Sequence, residues 1–237
     1  MSDISDKVEK IDWHLICADL HEKGFALVPG FLSSKQCRQV IRLYDSEQNF
    51  RKKVVMERYG YGLGEYQYFD YPLPTIVQEI REQLYPKLVP VANTWMSELK
   101  IDWQFPNTLK AFQAQCHANQ QLKPTPLILK YDKGGFNALH QDMYGDVYFP
   151  LQSVFLLNEP GTDFSGGELV LTQQIPRAQS TVNVLIPEKG DMLLFASNFR
   201  AVKGLKAFRR VTMKHGVSPL HSGQRHTLGV IFHDAVS

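Results

Sequence analysis

Apolar residues recur every three or four positions in several stretches of the first half of the chain, and this spacing predicts α-helices. The serine pair at 33–34 can cap one helix, whose apolar stripe comprises Cys37, Val40, Ile41 and Tyr44. After a predicted turn at residues 70–74, a second helix is expected to stop before Pro86, with a stripe of Ile76, Val77, Ile80 and Leu84. A third helix is predicted from Thr108 to Gln120.

Beyond Pro126 the pattern changes to short apolar runs separated by turns that contain glycine. Such runs predict the strands of a sandwich or barrel, and they lie at residues 127–131, 153–157, 168–171, 182–186, 192–195, 210–213 and 228–232. We therefore expect a mainly β protein with added α-helices. Residues 1–123 would form a helical, substrate-covering region packed on a β core at residues 124–237, within one integrated domain.

Composition narrows the class of protein. The 237 residues are 43% hydrophobic and 21% charged, with a net charge of +2, which is ordinary for a globular protein and excludes a uniformly basic coat. Cys17, Cys37 and Cys116 are widely spaced, so reduced thiols and no disulfide partner are expected. No secretory signal and no run of about 18 apolar residues is visible. We expect a cytoplasmic protein without a membrane partner.

Candidate metal ligands begin with His140 and Asp142, which lie two positions apart and would project to the same side of a strand. Taken alone, such a pair does not distinguish a metal site from a turn histidine that lies beside a solvated aspartate. His215 alternates with the apolar residues Val211, Met213 and Val217, so it should also face inward. Two histidines and one carboxylate with open positions opposite are typical of non-haem Fe(II) oxygenases. We expect His221, His226 and His233 at the surface or in supporting positions.

Arg225, ten positions after His215, predicts an anion site. It shares one strand face with Thr227, Gly229 and Ile231, where a guanidinium is costly unless an anion pairs with it. An internal carboxylate is one candidate partner, but Asp191 is the last acidic residue before Asp234. A diffusible carboxylate is the favoured ligand, since guanidinium matches its geometry.

These residues together resemble the 2-oxoglutarate-dependent Fe(II) oxygenases. Tyr131, the Gly166–Leu169 segment and the Gly190–Phe195 segment extend the resemblance. The chain is most similar to a bacterial family of such oxygenases described as acting on damaged DNA. That similarity is carried by FRKKVVMERYG, GEYQYFDYPLP, LHQDMYGDVYFPLQ, GTDFSGGELVL and LGVIFHDA.

The resemblance implies a double-stranded β-helix (jelly-roll, cupin-like) core in which His140, Asp142 and His215 hold Fe(II). Arg225, with Tyr131, would bind 2-oxoglutarate, and O₂ would complete the reactants. The implied reaction oxidises a C–H bond with release of succinate and CO₂, and on an N-methyl group it also releases formaldehyde. One departure concerns the substrate. The alkylation-repair demethylases continue with an asparagine and a second arginine, whereas this chain reads RHTLGVI from Arg225.

Two features bear on the prime substrate. Aromatic and basic residues alternate between Phe50 and Tyr71, which suits base stacking and phosphate contact, and the candidate contacts are Arg58, Tyr59, Tyr66 and Tyr68. The same segment could instead simply cover one mouth of the core. Between Met192 and His233 the chain has basic residues but no acidic ones. These residues could form a positive rim around the mouth of the core, or they could pair with the acidic N-terminal segment.

Three functions remain open at this stage. The first is an oxygenase that demethylates modified nucleobases in DNA, with nucleic acid as the partner. The second is a protein (prolyl-type) or small-molecule hydroxylase. The third is a non-catalytic β-helix binding module.

Overall fold

The computed structural model describes residues 3–46, 49–175 and 177–237. Its helices are α1 (Asp3–Glu9), α2 (Trp13–Lys23), α3 (Ser34–Tyr44), α4 (Thr75–Glu98) and α5 (Leu109–Ala118), with a 3₁₀ turn at Met56–Tyr59. The strands of the N-terminal half are β1 (Phe25–Val28), β2 (Phe50–Val55), β3 (Gly62–Leu63) and β4 (Glu65–Phe69). The later strands are β5 (Leu127–Tyr131), β6 (Phe136–His140), β7 (Leu151–Leu156), β8 (Phe164–Gly166), β9 (Leu169–Gln174), β10 (Thr181–Leu185), β11 (Met192–Ala196), β12 (Phe199–Lys203), β13 (Phe208–Val217), β14 (Leu220–Gly223) and β15 (Arg225–Val230).

The strands form two large antiparallel sheets that line one cavity. The larger sheet has the order β1-β11-β7-β15-β5-β4-β2, and the smaller has the order β10-β9-β13-β6-β3, with β12 added to β13. Strands β14 and β8 form a separate pair. The protein is therefore mainly β with added helices, as the sequence predicted.

Strand alternation gives the larger sheet two different faces. On β15, Arg225, Thr227 and Gly229 line the cavity, whereas Leu228 and Val230 join the main hydrophobic core on the other side. Side chains of α4 belong to that same core. The helices thus pack on the outer face of the larger sheet and leave its inner face to the cavity.

Helix α4 corrects the prediction that a helix stops before Pro86. It runs through both Pro86 and Pro90 and buries eleven of its residues. An interior proline costs a helix about 3 kcal/mol or more, but burying a single large apolar side chain contributes roughly 1.5–3 kcal/mol. Packing on the sheet therefore outweighs the two prolines.

The first 123 residues are not only helical, which is a second correction. Strand β1 pairs with β11, and β4 pairs with β5, so both join the larger sheet. Strand β2 then pairs with β4 at the edge, where Lys52 and Lys53 are exposed. Its charged middle hides the alternation that signals a strand, so pairing with a neighbour decides its structure. The larger sheet therefore takes strands from both sides of residue 123.

Two smaller expectations can be compared directly with the structure. Helix α3 begins as predicted, because Ser33 caps it and Gln36 completes a capping box. Cys17, Cys37 and Cys116 are free thiols. In the described part of the chain, no helix has the length and apolar character needed to span a bilayer.

A buried ion pair fastens the segment after β15 to α4. Arg81 lies 2.7 Å from the Asp234 carboxylate and donates to the carbonyl oxygens of Ile231 and Phe232 at 3.0 and 2.8 Å. It also donates to the Tyr71 hydroxyl at 2.8 Å. The guanidinium and the carboxylate are both completely buried, so each depends on the other for compensation.

Replacing Arg81 by methionine should lower the free energy of unfolding by roughly 3–5 kcal/mol, because the buried Asp234 carboxylate would lose its guanidinium and keep only Tyr71 and His117 as partners. Urea unfolding followed by circular dichroism measures the change. Arg38→Met, at an exposed position of α3, is the matched control and should change stability by no more than about 0.5 kcal/mol. Equal effects of the two variants would contradict the role of the ion pair.

Candidate active site

A cavity of about 490 Å³ lies between the two large sheets. The larger sheet contributes Gln152, Val154, Phe195 and Arg225 to its lining, among others. The smaller sheet contributes a second group that includes His140, Leu169, His215 and Val217. Its size is within the 300–1,000 Å³ range common for ligand sites.

Three potential metal ligands converge at one end of β6. His140 and His215 are directly opposite each other in the β6–β13 pairing, with ring centroids 4.2 Å apart. Asp142 follows two residues after His140, and its Oδ2 lies 3.2 Å from His215 Nε2 while its Oδ1 lies 3.6 Å from His140 Nε2. One ligand atom from each residue lies within 4.8 Å of the others. This spacing can accommodate a single ion.

The close approach of β13 to β6 depends on a glycine. A Cβ on Gly216 would lie 2.6 Å from the carbonyl oxygen of Asn137, so a side chain there would push the two strands apart. The register also shifts between His215 and Val217. Gly216 thus helps to bring His215 against His140.

The surroundings of the three side chains suit metal binding. His140 Nδ1 lies 2.8 Å from the carbonyl oxygen of Ala138; a carbonyl only accepts, so Nδ1 carries the proton and Nε2 is left for a metal. Burial, and then the nearby His140, lowers the pKa of His215. Burial opposes ionisation of Asp142, but His215, His140 and the Tyr144 hydroxyl together hold its pKa below the usual range. Two imidazoles and one carboxylate suit Fe(II).

Arg225 is the second element of the site. It is 2% exposed, and its Nε and Nη1 atoms have no hydrogen-bond partner in the described residues. Burial lowers the pKa of Arg225 to about 10, so the group remains a cation at neutral pH. Glu168 influences that pKa but is itself hydrogen-bonded to Ser218. A buried guanidinium without a carboxylate partner is costly, so this position could receive an anion.

Tyr131 lies beside the Arg225 guanidinium. It pairs directly with Arg225 across β5 and β15, and its ring centroid is 5.7 Å from the guanidinium carbon. The Tyr131 hydroxyl is buried and makes no hydrogen bond of normal geometry within the described chain. A carboxylate between the two could accept from both.

The double glycine at 166–167 leaves room for the arginine. Gly167 has φ +67°, and a Cβ there would lie 3.1 Å from Arg225 Cδ and 2.6 Å from Leu220 Cδ1. Any larger residue would be strained in its backbone and would press on the arginine stem. The motif at Gly166–Leu169 therefore has a direct structural reason.

The residues suggested as substrate contacts separate into two groups. Tyr66 and Tyr68 line the cavity. Tyr59 is 57% exposed and outside the lining, but it stacks on the lining residue Tyr61 with centroids 5.4 Å apart. Arg58 is exposed and is also outside the lining.

Two expectations about the surroundings of the site were wrong. A surface position was one expectation for His233, but it is 1% exposed and packs against Tyr144 with centroids 5.8 Å apart. Arg200 lies in the basic stretch that predicts a positive rim, but it is 5% exposed and donates to Gln173 and to the His21 carbonyl oxygen. His226 lies on the face opposite Arg225, against Tyr44 and Asn158, as strand alternation requires.

Sequence reasoning missed three residues that contribute to the site. Gln152 lies 3.2 Å from His215 Nε2, and Tyr144 donates to Asp142 at 2.8 Å. Asn137 lines the cavity beside them. Tyr144 has a usable signal, since it follows Asp142 by two positions in the same segment. Gln152 has none, because only the pairing of β7 turns it inward.

The family model described as "Oxygenase, catalysing oxidative methylation of damaged DNA" matches residues 64–235. The chain belongs to this family. The uncharacterized protein MT2286 of Mycobacterium tuberculosis (strain CDC 1551 / Oshkosh) is 40% identical over 167 residues, which are 70% of this chain and 72% of that protein. The chain is therefore an oxygenase.

Solved structures agree on the fold. A prolyl-4-hydroxylase from Pseudomonas putida matches with a TM-score of 0.54 and 16% identity, covering 94% of this chain and 98% of that one. A 2OG-Fe(II) oxygenase family oxidoreductase from Burkholderia pseudomallei matches with a TM-score of 0.54 and 14% identity, covering 96% and 95%. At these identities the likeness shows a shared fold and leaves the substrate open.

Arg225→Gln should raise the dissociation constant of 2-oxoglutarate about 100-fold. The reason is that the carboxylate of 2-oxoglutarate farther from its keto group, which is expected to bind Arg225, would lose its buried cationic partner. Calorimetric titration of the metal-loaded protein measures this constant. Arg209→Gln, at an exposed position of β13, should leave it unchanged. An Arg225 variant that binds 2-oxoglutarate as wild type does would rule out the anchor role.

Proposed function

We propose that this oxygenase oxidises a C–H bond of a modified base in DNA, releasing succinate and CO₂. In this proposal His140, Asp142 and His215 bind Fe(II), while Arg225 and Tyr131 bind the distal carboxylate of 2-oxoglutarate. The observation that supports it is that three candidate metal ligands and a buried arginine, two of whose nitrogen atoms lack a partner among the described residues, line one cavity.

The double-stranded β-helix is the proposed description of the core. Two antiparallel sheets face one cavity, and the ligand strands β6 and β13 are neighbours in the smaller sheet. The anion pocket is built by β5 and β15 of the larger sheet. A jelly-roll core would bring ligands from distant parts of the chain together in this way.

The residues around the site have separate tasks. Iron, 2-oxoglutarate and O₂ supply the oxidising chemistry when bound, whereas the chain orients the reactants and shields them. Arg225 and Tyr131 fix one end of the co-substrate by charge-assisted and neutral hydrogen bonds. Leu169, Phe195 and Val217 surround the ligands with apolar surface that excludes water.

The cavity wall beyond the ligands suits a planar, uncharged group. It contains Tyr66, Tyr68, Leu127, Leu129 and Ile231. Aromatic faces stack on any base, at about 1–3 kcal/mol per base. The exposed Tyr59–Tyr61 stack next to this wall can support a neighbouring base, and Arg58 can reach a phosphate. The family description of damaged DNA favours this substrate class.

A protein hydroxylase of the prolyl type is the alternative, because a solved structure with this fold is named as a prolyl-4-hydroxylase. Its identity of 16% carries the fold alone. Succinate release with different substrates distinguishes the two functions. The alternative predicts that a proline-containing peptide stimulates it, whereas the proposal predicts that a methylated oligonucleotide does.

Alanine at His140 or Asp142 should abolish the release of succinate from 2-oxoglutarate, because two ligands do not retain the metal. The reaction is assayed with added Fe(II) under air. His221→Ala, an exposed histidine on β14, is the control and should retain turnover. Loss of activity in all three variants alike would contradict the ligand assignment.

Tyr59→Ala and Tyr61→Ala should each weaken binding of a methylated single-stranded oligonucleotide by about 1–3 kcal/mol, through lost stacking. Fluorescence anisotropy at two salt concentrations measures it, and affinity should fall as salt rises. Trp103→Ala, an aromatic that is 38% exposed and outside the cavity lining, is the control. Unchanged affinity in both tyrosine variants would remove this surface from the substrate site.

A further inference from the structure

Two tyrosine hydroxyls form a chain that ends on the metal-site carboxylate. Tyr68 donates to the Tyr144 hydroxyl at 3.0 Å, and Tyr144 donates to Asp142 Oδ1 at 2.8 Å. A carboxylate only accepts, so the Tyr144 proton must point to Asp142. The Tyr144 oxygen is then free to accept from Tyr68, which strengthens the chain through polarisation.

We infer that the Tyr68–Tyr144 pair positions the Asp142 carboxylate, engaging Oδ1 so that Oδ2 is the oxygen presented to the ion. This inference rests on the proposed metal site. Oδ2 is the oxygen that faces His215 Nε2, at 3.2 Å, whereas Oδ1 lies 3.6 Å from His140 Nε2. With Oδ1 engaged, the carboxylate would contribute one oxygen to the ion, which would leave coordination positions open for the reactants.

Tyr144 is held in place before any ion binds. Its carbonyl accepts from the backbone N–H of Val236 at 3.1 Å. Its ring packs against His233 and Tyr68, with centroids 5.8 and 6.0 Å away. These contacts fix both ends of the residue, so the hydroxyl does not need to be ordered when a metal enters.

Amide side chains hold the segment on both sides of Tyr144. Gln141 Nε2 donates to the carbonyl oxygens of Asn198 and Met213 at 2.7 and 2.9 Å. Gln121 accepts from the backbone N–H of Val147 and donates to its carbonyl oxygen, both at 2.8 Å. The segment from Gln141 to Val147 is therefore anchored at its two ends, and Asp142 and Tyr144 lie between the anchors.

The other end of the chain lies in the cavity wall. Tyr68 is 6% exposed on β4 and belongs to the wall assigned above to the substrate. The Arg51 guanidinium lies over its ring, 4.6 Å from the centroid. Because β4 is hydrogen-bonded to β5, the hydroxyl of Tyr68 has a fixed position relative to the Tyr131 strand. The hydrogen bonds from Tyr68 to Tyr144 and from Tyr144 to Asp142 thus connect the cavity wall to the proposed metal ligand.

Co(II) alone serves as the probe, titrated into the metal-free full chain and followed by visible absorption. Tyr144→Phe removes one hydroxyl and should raise the Co(II) dissociation constant about tenfold or more, while the thermal midpoint of the metal-free protein stays close to wild type. Tyr68→Phe should change the constant in the same direction by less. Tyr148→Phe is the matched control at a ring packed on the main core, and it should leave the constant unchanged.

A Tyr144→Phe protein that binds Co(II) within about twofold of wild type would overturn the inference. If that variant does not fold, Tyr68→Phe provides the test. A raised Co(II) dissociation constant would support the positioning role, and an unchanged constant would overturn it. His140→Ala separates this inference from the proposed function. Wild-type Co(II) binding by His140→Ala would refute the metal site itself, whereas its loss together with normal binding by Tyr144→Phe refutes only the positioning role.

Discussion

The buried guanidinium of Arg225 is the constraint on which the interior of this protein depends. A cation that is 2% exposed, with two nitrogen atoms that find no hydrogen-bond partner among the described residues, is costly for the protein by itself. Tyr131 and Gly167 shape the space around it. The proposed binding of 2-oxoglutarate accounts for this otherwise unfavourable group.

Because successive residues of a strand point to opposite faces of the sheet, the residues that stabilise the core and those that line the cavity lie on different faces. On β15, alternate residues face the cavity, and the residues between them join the core formed with α4. The same division places His226 against Tyr44 rather than beside Arg225. Helices stabilise the outer face of the larger sheet, so the inner face can carry polar groups at a cost that the core offsets.

Two sets of contacts order the end of the cavity that carries His140, Asp142 and His215. The pairing of β6 with β13 sets the two histidines opposite each other. The segment that carries Asp142 is then tied down by amide contacts and by the Tyr144 hydroxyl. Such prior ordering suits the proposed metal site, because no reorganisation of these side chains would be required when the reactants bind.

The sequence by itself determined the β character of the second half, the capped helix at Ser33, and the inward direction of His140, His215 and Arg225. These follow from local periodicity, which depends only on neighbouring positions. Tertiary structure alone decided that β2 and β4 join the larger sheet, that α4 continues through Pro86, and that His233 is buried. It also brought Tyr144 and Gln152 to the ligands. Those outcomes depend on pairing and burial between distant segments, whose energies exceed local preference and leave no periodic trace in the chain.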